Sequence, residues 1–170
     1  MPLDDIPSDS TVFVDSTILH YAFVHFEAAT PQCIRFLERV GKAELVACLN
    51  LPVLNDAVHK IMCSEAVESF NRPRSGLVAW MKRNPALVQN LTRASDLLNL
   101  SGALPMRILS ADLEALVGAQ RVVKAYGLLA NDALILALIE HHGIIHLATN
   151  DDDFDRVPGI TVWKPRPAIT

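Results

Sequence analysis

Aspartates stand at the positions where this chain could do chemistry. Asp15 directly follows a β-rich run, Thr11 to Val14, and Asp132 opens the apolar segment Ala133 to Ile139. The stretch Thr149-Asn150-Asp151-Asp152-Asp153-Phe154-Asp155 places four carboxylates within five residues. Crowded carboxylates repel one another, and a divalent cation relieves that repulsion most directly. Oxygen donors of this kind select Mg2+ or Mn2+ over zinc, because hard cations prefer carboxylates and water. The scattered histidines His20, His25, His59, His141, His142 and His146 form no zinc pattern. A calcium loop is also excluded. Asp151, Asp153 and Asp155 have its spacing, but the motif needs Gly where Arg156 stands and Glu where Val162 stands.

Asp132 is the most informative of these acids. The helix it opens is apolar on every side and should be buried, drawing the carboxylate in with it. A buried carboxylate must accept hydrogen bonds, become neutral or meet a cation. Asp132 alone could cap its own helix through backbone N–H groups. Two further acids aimed at the same place favour the cation. Asp56 gains nothing from its local pattern: at about 100° per residue it lies opposite the stripe Leu54, Ala57, Val58 and Ile61. It reads as a solvated surface acid, unless that face of the helix borders an open cleft with His59 and Lys60 nearby.

The elements that must position these acids alternate between strand and helix. Thr11 to Val14 is a strand, and Ser16 and Thr17 offer caps for a helix through Ile18, Leu19 and Phe23. A helix from Pro31 is ended by Gly41, and a strand follows over Glu44 to Cys48. Asn50 caps the next helix, with Pro52 in its first turn and a stripe of Leu51, Leu54, Ala57, Val58, Ile61 and Met62. Between Asn71 and Gly102 the pattern supports one or two helices with irregular joins. Met106 to Leu109 is a strand, Ser110 caps a helix to about Tyr126, and Gly127 closes it. Asn131 or Ala130 opens the apolar helix, Gly143 ends it, and strands follow at Ile144 to Ala148 and Ile160 to Trp163. This alternation implies an α/β fold of three layers, α/β/α, with a parallel sheet of about four to five strands. Ligands of such sheets bind beyond the carboxyl ends of the strands, where Asp15 and Asp151 both sit.

Composition sets the remaining bounds. With 170 residues, 51% of them apolar, one domain over residues 1–170 is expected, with residues 1–10 a flexible segment. The net charge of −4 creates no global attraction for a polyanion, so nucleic acid would need a local basic patch or a metal. Cys33, Cys48 and Cys63 are odd in number and lack CxxC spacing, which suits reduced thiols in the cytoplasm. The acidic, proline-containing start does not resemble a signal peptide, and the apolar stretch Gly127 to Thr149 holds too many polar residues to span a membrane.

Four segments together carry a resemblance: VFVDSTIL (12–19), LPVLNDAVHKIM (51–62), LLANDALILALI (128–139) and HLATNDDDFDRVPGITVW (146–163). They resemble the PIN domain, in particular the VapC-type ribonuclease toxins of prokaryotic toxin-antitoxin pairs. The resemblance spans nearly the whole chain, and the TND loop followed by DF is its most specific part. It implies an acidic pocket that binds Mg2+ or Mn2+ and cuts RNA, with Asp15, Asp56, Asp132 and Asp151 as catalytic and metal-site acids. Asp153 would be an auxiliary metal acid and Thr149 a supporting hydroxyl. The metal would lower the pKa of a water that attacks phosphorus in line. Candidates for steering RNA are Lys60, Arg72, Arg74, Lys82 and Arg83. A cognate antitoxin and a homodimer are the implied partners.

Two positions depart from the family pattern. Asp56 stands where Glu is more usual, and its shorter side chain leaves room for a water. Thr17 stands where Asn is common, which removes an orienting amide. Two rivals remain: an α/β metal-dependent phosphohydrolase with Asp15 as nucleophile, although Thr17 occupies the place of a second Asp such enzymes often need, and a PIN-fold RNA-binding or regulatory module without nuclease activity.

Overall fold

The computed structural model describes residues 1–26 and 29–165. Strands β1 (Thr11–Val14), β2 (Val46–Asn50), β3 (Arg107–Leu109), β4 (His146–Ala148) and β5 (Thr161–Trp163) form one parallel sheet in the order β3-β2-β1-β4-β5. The chain steps outward from β1 through β2 to β3, then returns to lay β4 on the other side of β1. Strand order therefore reverses at β1 and β4, which is where such sheets open a crevice at their carboxyl ends. Val14 pairs with Ala148, and the Asp15 amide donates to the Ala148 carbonyl at 2.9 Å.

Helices α1 (Ser16–Phe23), α2 (Ala29–Gly41), α3 (Leu51–Phe70), α4 (Leu77–Arg83), α5 (Pro85–Val88), α6 (Arg93–Ala103), α7 (Leu113–Tyr126) and α8 (Ala130–His141) complete the α/β/α layering. Helix α1 packs on α2 and α3, α3 on α6, and α7 on α8. Val12, Phe13 and Val14 are fully buried, as expected for a central parallel strand covered on both faces. Every residue of α8 from Ala133 to Ile139 is buried, which fixes that helix in depth and rotation. Burial of each Leu or Ile side chain there contributes about 1.5–3 kcal/mol. Among the described residues no single helix is long and apolar enough to cross a membrane; α7 and α8 together pass by length and composition but meet at 107°.

Several boundaries and caps differ from the sequence reading. Asp15 itself caps α1, its carboxylate accepting from the Ser16 and Thr17 amides, which frees both hydroxyls for other work. Helix α2 begins before Pro31, at Ala29. Strand β2 lies two residues later than Glu44 to Cys48, because Ala43 turns the chain in the left-handed region and the Glu44 amide still bonds back to the Arg39 carbonyl, while the Val46 amide bonds to the Ser10 carbonyl. Asp112, not Ser110, caps α7 by accepting from the Ala115 amide. Three helices, α4 to α6, occupy the irregular region. The N-terminus of α6 is capped from outside by Glu65 of α3, whose buried carboxylate accepts from the Thr92 and Arg93 amides. That contact is invisible to local patterns.

The expectation of a flexible segment at residues 1–10 is also corrected. Leu3 and Ile6 are buried, and the Leu3 amide and the Lys164 amide exchange bonds with the Lys164 and Met1 carbonyls beside β5. Two apolar residues spaced by three anchor a segment that its prolines and acids make look loose.

Candidate active site

Asp15, Asp56, Asp132 and Asp151 line one cavity of about 360 Å³ at the carboxyl edge of the sheet, together with Ser16, Thr17, Asn50, Val53, Lys60 and Asn131. Each acid arrives on a different element: Asp15 at the end of β1, Asp56 in the second turn of α3, Asp132 in the first turn of α8, and Asp151 in the loop after β4. Asp153 joins them, so that carboxylate oxygens of Asp132, Asp151 and Asp153 lie within 4.8 Å of one another. That is a spacing at which one hard cation can be shared.

These acids differ sharply in how they are satisfied. Asp15 is 8% exposed and accepts at both oxygens, from the Ser16 amide (2.6 Å) at one, and from the Thr17 hydroxyl (2.7 Å) and the Thr149 hydroxyl (2.8 Å) at the other. Thr149 is fully buried, and its oxygen also accepts from the Asp151 amide, so one hydroxyl ties the β1 acid to the β4 loop. Thr17 does the same on the other side, accepting from the Asn150 amide at 3.0 Å. The Asp151 carboxylate accepts from the Asp153 amide, and Asp153 pairs with Arg156 at 2.7 Å.

Asp132 is the exception. Among the described residues nothing donates to its carboxylate, so it does not cap its own helix, and the N-cap position of α8 is Leu129, which has no capping side chain. Burial, with the negative charges of Asp151, Asp15 and Asp153, pushes its pKa up to about 6. A carboxylate that lacks donors and faces three acids is the donor set a cation would complete.

Asp56 lies on the cavity wall and not in open solvent. Its carboxylate accepts from the Ser16 hydroxyl at 2.6 Å and pairs with Lys60 at 2.8 Å, while Lys60 donates to the same Ser16 oxygen at 2.8 Å. Burial works against its charge, but these hydrogen bonds from Lys60 and Ser16 outweigh it and hold the pKa below the usual range. The sequence stripe was centred wrongly. Leu51 is 63% exposed, whereas Val53, Ala57, Ile61 and Ser64 are buried. At about 100° per residue the true stripe is rotated by nearly one residue, which moves Asp56 and Lys60 from the far face to the flank of the buried one.

The acidic loop is also less bare than its sequence suggests. Lys164, just past β5, is 2% exposed, and its ammonium pairs with Asp152 and Asp155, at 2.6 Å for the latter. Burial opposes its charge, and the two carboxylates override that and raise its pKa. With Arg156 on Asp153, three of the four loop acids have a protein cation, and Asp151 and Asp153 are the two whose oxygens come near Asp132. Neither Lys164 nor Ser16 was singled out by sequence reasoning. Ser16 was visible as a hydroxyl beside Asp15, but Lys164 is brought to the loop only by β5 pairing.

Of the basic candidates, Lys60 alone lines the cavity. Arg72 stacks over Trp80 at 4.9 Å, and Arg74 is exposed close enough to His20 to depress its pKa. Lys82 borders an apolar groove with His59, Val78, Met81, Pro85 and Val88, and Arg83 donates to the Ala79 carbonyl. The cysteines Cys33, Cys48 and Cys63 are free thiols.

Known proteins share this family and fold. The model of the PIN domain matches residues 12–160. Ribonuclease VapC6 of Methanocaldococcus jannaschii is 29% identical over 157 residues, which covers 92% of this chain and 99% of that protein. Among solved structures, the Mycobacterium tuberculosis toxin VapC20, described as cleaving the sarcin-ricin loop, superposes with a TM-score of 0.59 at 13% identity, over 88% of this chain and 96% of that one. A toxin-antitoxin complex from Klebsiella pneumoniae superposes with a TM-score of 0.56 at 16% identity, over 92% and 98%. VapBC2 of Rickettsia felis, bound to a DNA fragment from its promoter, superposes at 0.51 with 14% identity, over 91% and 98%.

Proposed function

This chain belongs to the PIN domain family, and from that premise we propose that it is a ribonuclease dependent on Mg2+ or Mn2+ that hydrolyses RNA phosphodiester bonds as the toxin of a toxin-antitoxin pair. The observation that carries the reading is the Asp132 carboxylate, inside a cleft of acids and without a donor among the described residues. Relatives named as VapC ribonucleases and toxins support the substrate class.

The residues have distinct roles in this reading. Asp132, Asp151 and Asp153 hold the ion, whose chemistry when bound is to polarise phosphate and water and to neutralise developing negative charge. Asp15, locked at both oxygens by hydroxyls and amides, shapes the floor of the site and contributes negative potential beneath it. Thr17 and Thr149 keep the β1 and β4 edges in register, and Asp56 positions Lys60. The exposed Arg72, Arg74, Lys82 and Arg83 on the α3–α4 side guide the RNA backbone toward the cleft by charge.

Two partners go with the toxin reading. An antitoxin segment would seat apolar side chains in the groove lined by Phe23, Ile34, Leu37, Leu100 and Leu104 and close the acidic cleft with a cationic side chain. Self-association would use α7, which exposes Leu113, Leu116 and Val117 on one face. The governing experiment is RNA cleavage by purified, partner-free chain with Mg2+ or Mn2+, with EDTA and Asp132→Asn each abolishing it. Intact RNA under metal-loaded conditions refutes the reading, and metal binding without cleavage would instead favour a regulatory PIN module.

A further inference from the structure

We propose that Lys60 is a catalytic residue that supplies the second positive charge of the site, so that the chain works with one divalent ion and one lysine bracketing the scissile phosphate. This rests on the ribonuclease reading and adds to it the number of ions and the identity of the opposing cation.

The cleft is asymmetric about β1. On the β4 side the oxygens of Asp132, Asp151 and Asp153 lie within 4.8 Å of one another. On the β2 side the one acid that α3 brings to the cavity, Asp56, is already engaged by Lys60 and Ser16 at a single oxygen. Asp15, between them, accepts at both oxygens from protein donors. A second divalent ion on the β2 side would have only Asp56 and Asp15 as carboxylate ligands, and it would sit against the Lys60 ammonium that already pairs with Asp56. The lysine already holds the charge such an ion would bring. Its reach also fits: Nζ is anchored at 2.8 Å by both Asp56 and Ser16, so two of its three N–H groups are used and the third is free for an acceptor in the cavity.

Hydrolysis then balances without a proton from the lysine. Water adds to phosphorus, the phosphorus–oxygen bond to one ribose breaks, one water proton ends on the departing ribose oxygen, and the other is released from the new phosphate. Lys60 remains protonated and donates to a non-bridging oxygen whose negative charge grows in the transition state.

The test counts Mn2+ bound to the metal-free full chain by calorimetry and by the signal of free Mn2+ in electron paramagnetic resonance, and measures RNA cleavage, in wild type, Lys60→Met and Lys60→Arg. Wild type is expected to bind one Mn2+ and Lys60→Met two, the second at the freed Asp56. Lys60→Met should lose about 100-fold in kcat while its first Mn2+ binds within about threefold of wild type, which excludes misfolding as the cause; Lys60→Arg should recover most of kcat by keeping the charge. Two Mn2+ in wild type, one in Lys60→Met, or an unchanged kcat in Lys60→Met each overturns the proposal. If wild type cleaves no RNA, the ribonuclease reading falls, and the Mn2+ counts alone decide whether the lysine replaces an ion.

Discussion

Replacing Asp132 by Asn should stabilise the metal-free protein at neutral pH while destroying its site. The Asp132 carboxyl has a pKa of about 6 in the folded chain against an ordinary 3.8, because burial and the charges of Asp151, Asp15 and Asp153 oppose its ionisation. Each tenfold change in proton affinity is worth about 1.4 kcal/mol, so ionised Asp132 costs the fold up to about 3 kcal/mol at pH 7. Solvent reaching the half-buried group lowers that, and about 1–2 kcal/mol is the expected gain for Asp132→Asn, or roughly 2–8 °C in melting temperature for a chain of this size. A raised carboxyl pKa means the folded state binds more protons than the unfolded one between pH 3.8 and about 6. Stability from this residue is therefore complete below pH 3.8 and is lost as pH rises to 6.

The assay is thermal and urea denaturation of both proteins in EDTA from pH 4 to pH 8. His20 complicates the wild-type curve. Its pKa falls to about 4 through burial and the charges of Lys60 and Arg74, so stability from His20 is lost as pH falls from 6.5 to 4. The two slopes oppose each other over nearly the same range. Wild type should look flat where Asp132→Asn loses stability on acidification, and the difference between the two isolates Asp132. The gap should be near zero at pH 4 and fully open by pH 7. Added Mn2+ should then raise wild type and leave the variant unmoved. A variant less stable than wild type in EDTA at pH 7, or a gap equal at pH 4 and pH 7, refutes the view that Asp132 is a strained, unpartnered charge.

Three further outcomes are expected. His20→Phe should remove the acid-side loss that Asp132→Asn unmasks, which a double variant read by the same denaturation series will show as a flat profile from pH 4 to 6.5. Lys164→Met removes the ammonium from Asp152 and Asp155, which are themselves 90% and 48% exposed, and should cost no more than about 1 kcal/mol in urea denaturation, with Mn2+ affinity changing too because the loop acids are freed to repel Asp151 and Asp153. Glu65→Gln leaves one of the two α6 cap bonds without a carboxylate acceptor and should cost about 0.5–2 kcal/mol, with hydrogen exchange accelerated in α6 and not in β1.

How far the sequence could be read depends on the range of the forces involved. Strand β1 and the acid after it, the Asn50 cap of α3, and the uniformly apolar α8 were all legible because each is set by neighbours within one or two turns. The parallel sheet followed from alternation alone. Three features were not legible. The face of α3 was misread because a stripe counted from hydrophobicity took in Leu51 and left out Val53, and the resulting rotation sent Asp56 to the wrong side. The N-terminal segment looked loose because its anchor, the edge of β5, lies more than 150 residues away. The acidic loop looked like four equal carboxylates because its buried counter-ion comes from the strand after it.

Such counter-charges allow the site to be both acidic and folded. At this edge of the sheet each acid but one has a donor: hydroxyls and amides for Asp15, Ser16 and Lys60 for Asp56, the Asp153 amide for Asp151, Arg156 for Asp153, and Lys164 for Asp152 and Asp155. The unfavourable electrostatics are thereby concentrated on Asp132, which sits on the most deeply buried helix and cannot relax away from its neighbours. A rigid, unpartnered carboxylate costs stability when the cleft is empty and returns that energy to whatever cation binds there. Redesign of the cleft is limited in the same way. Giving Asp132 a protein donor, for example by Asn131→Lys, would stabilise the metal-free fold and weaken Mn2+ binding together, and a variant that gained stability with no loss of Mn2+ affinity would show that the two are not coupled through this residue.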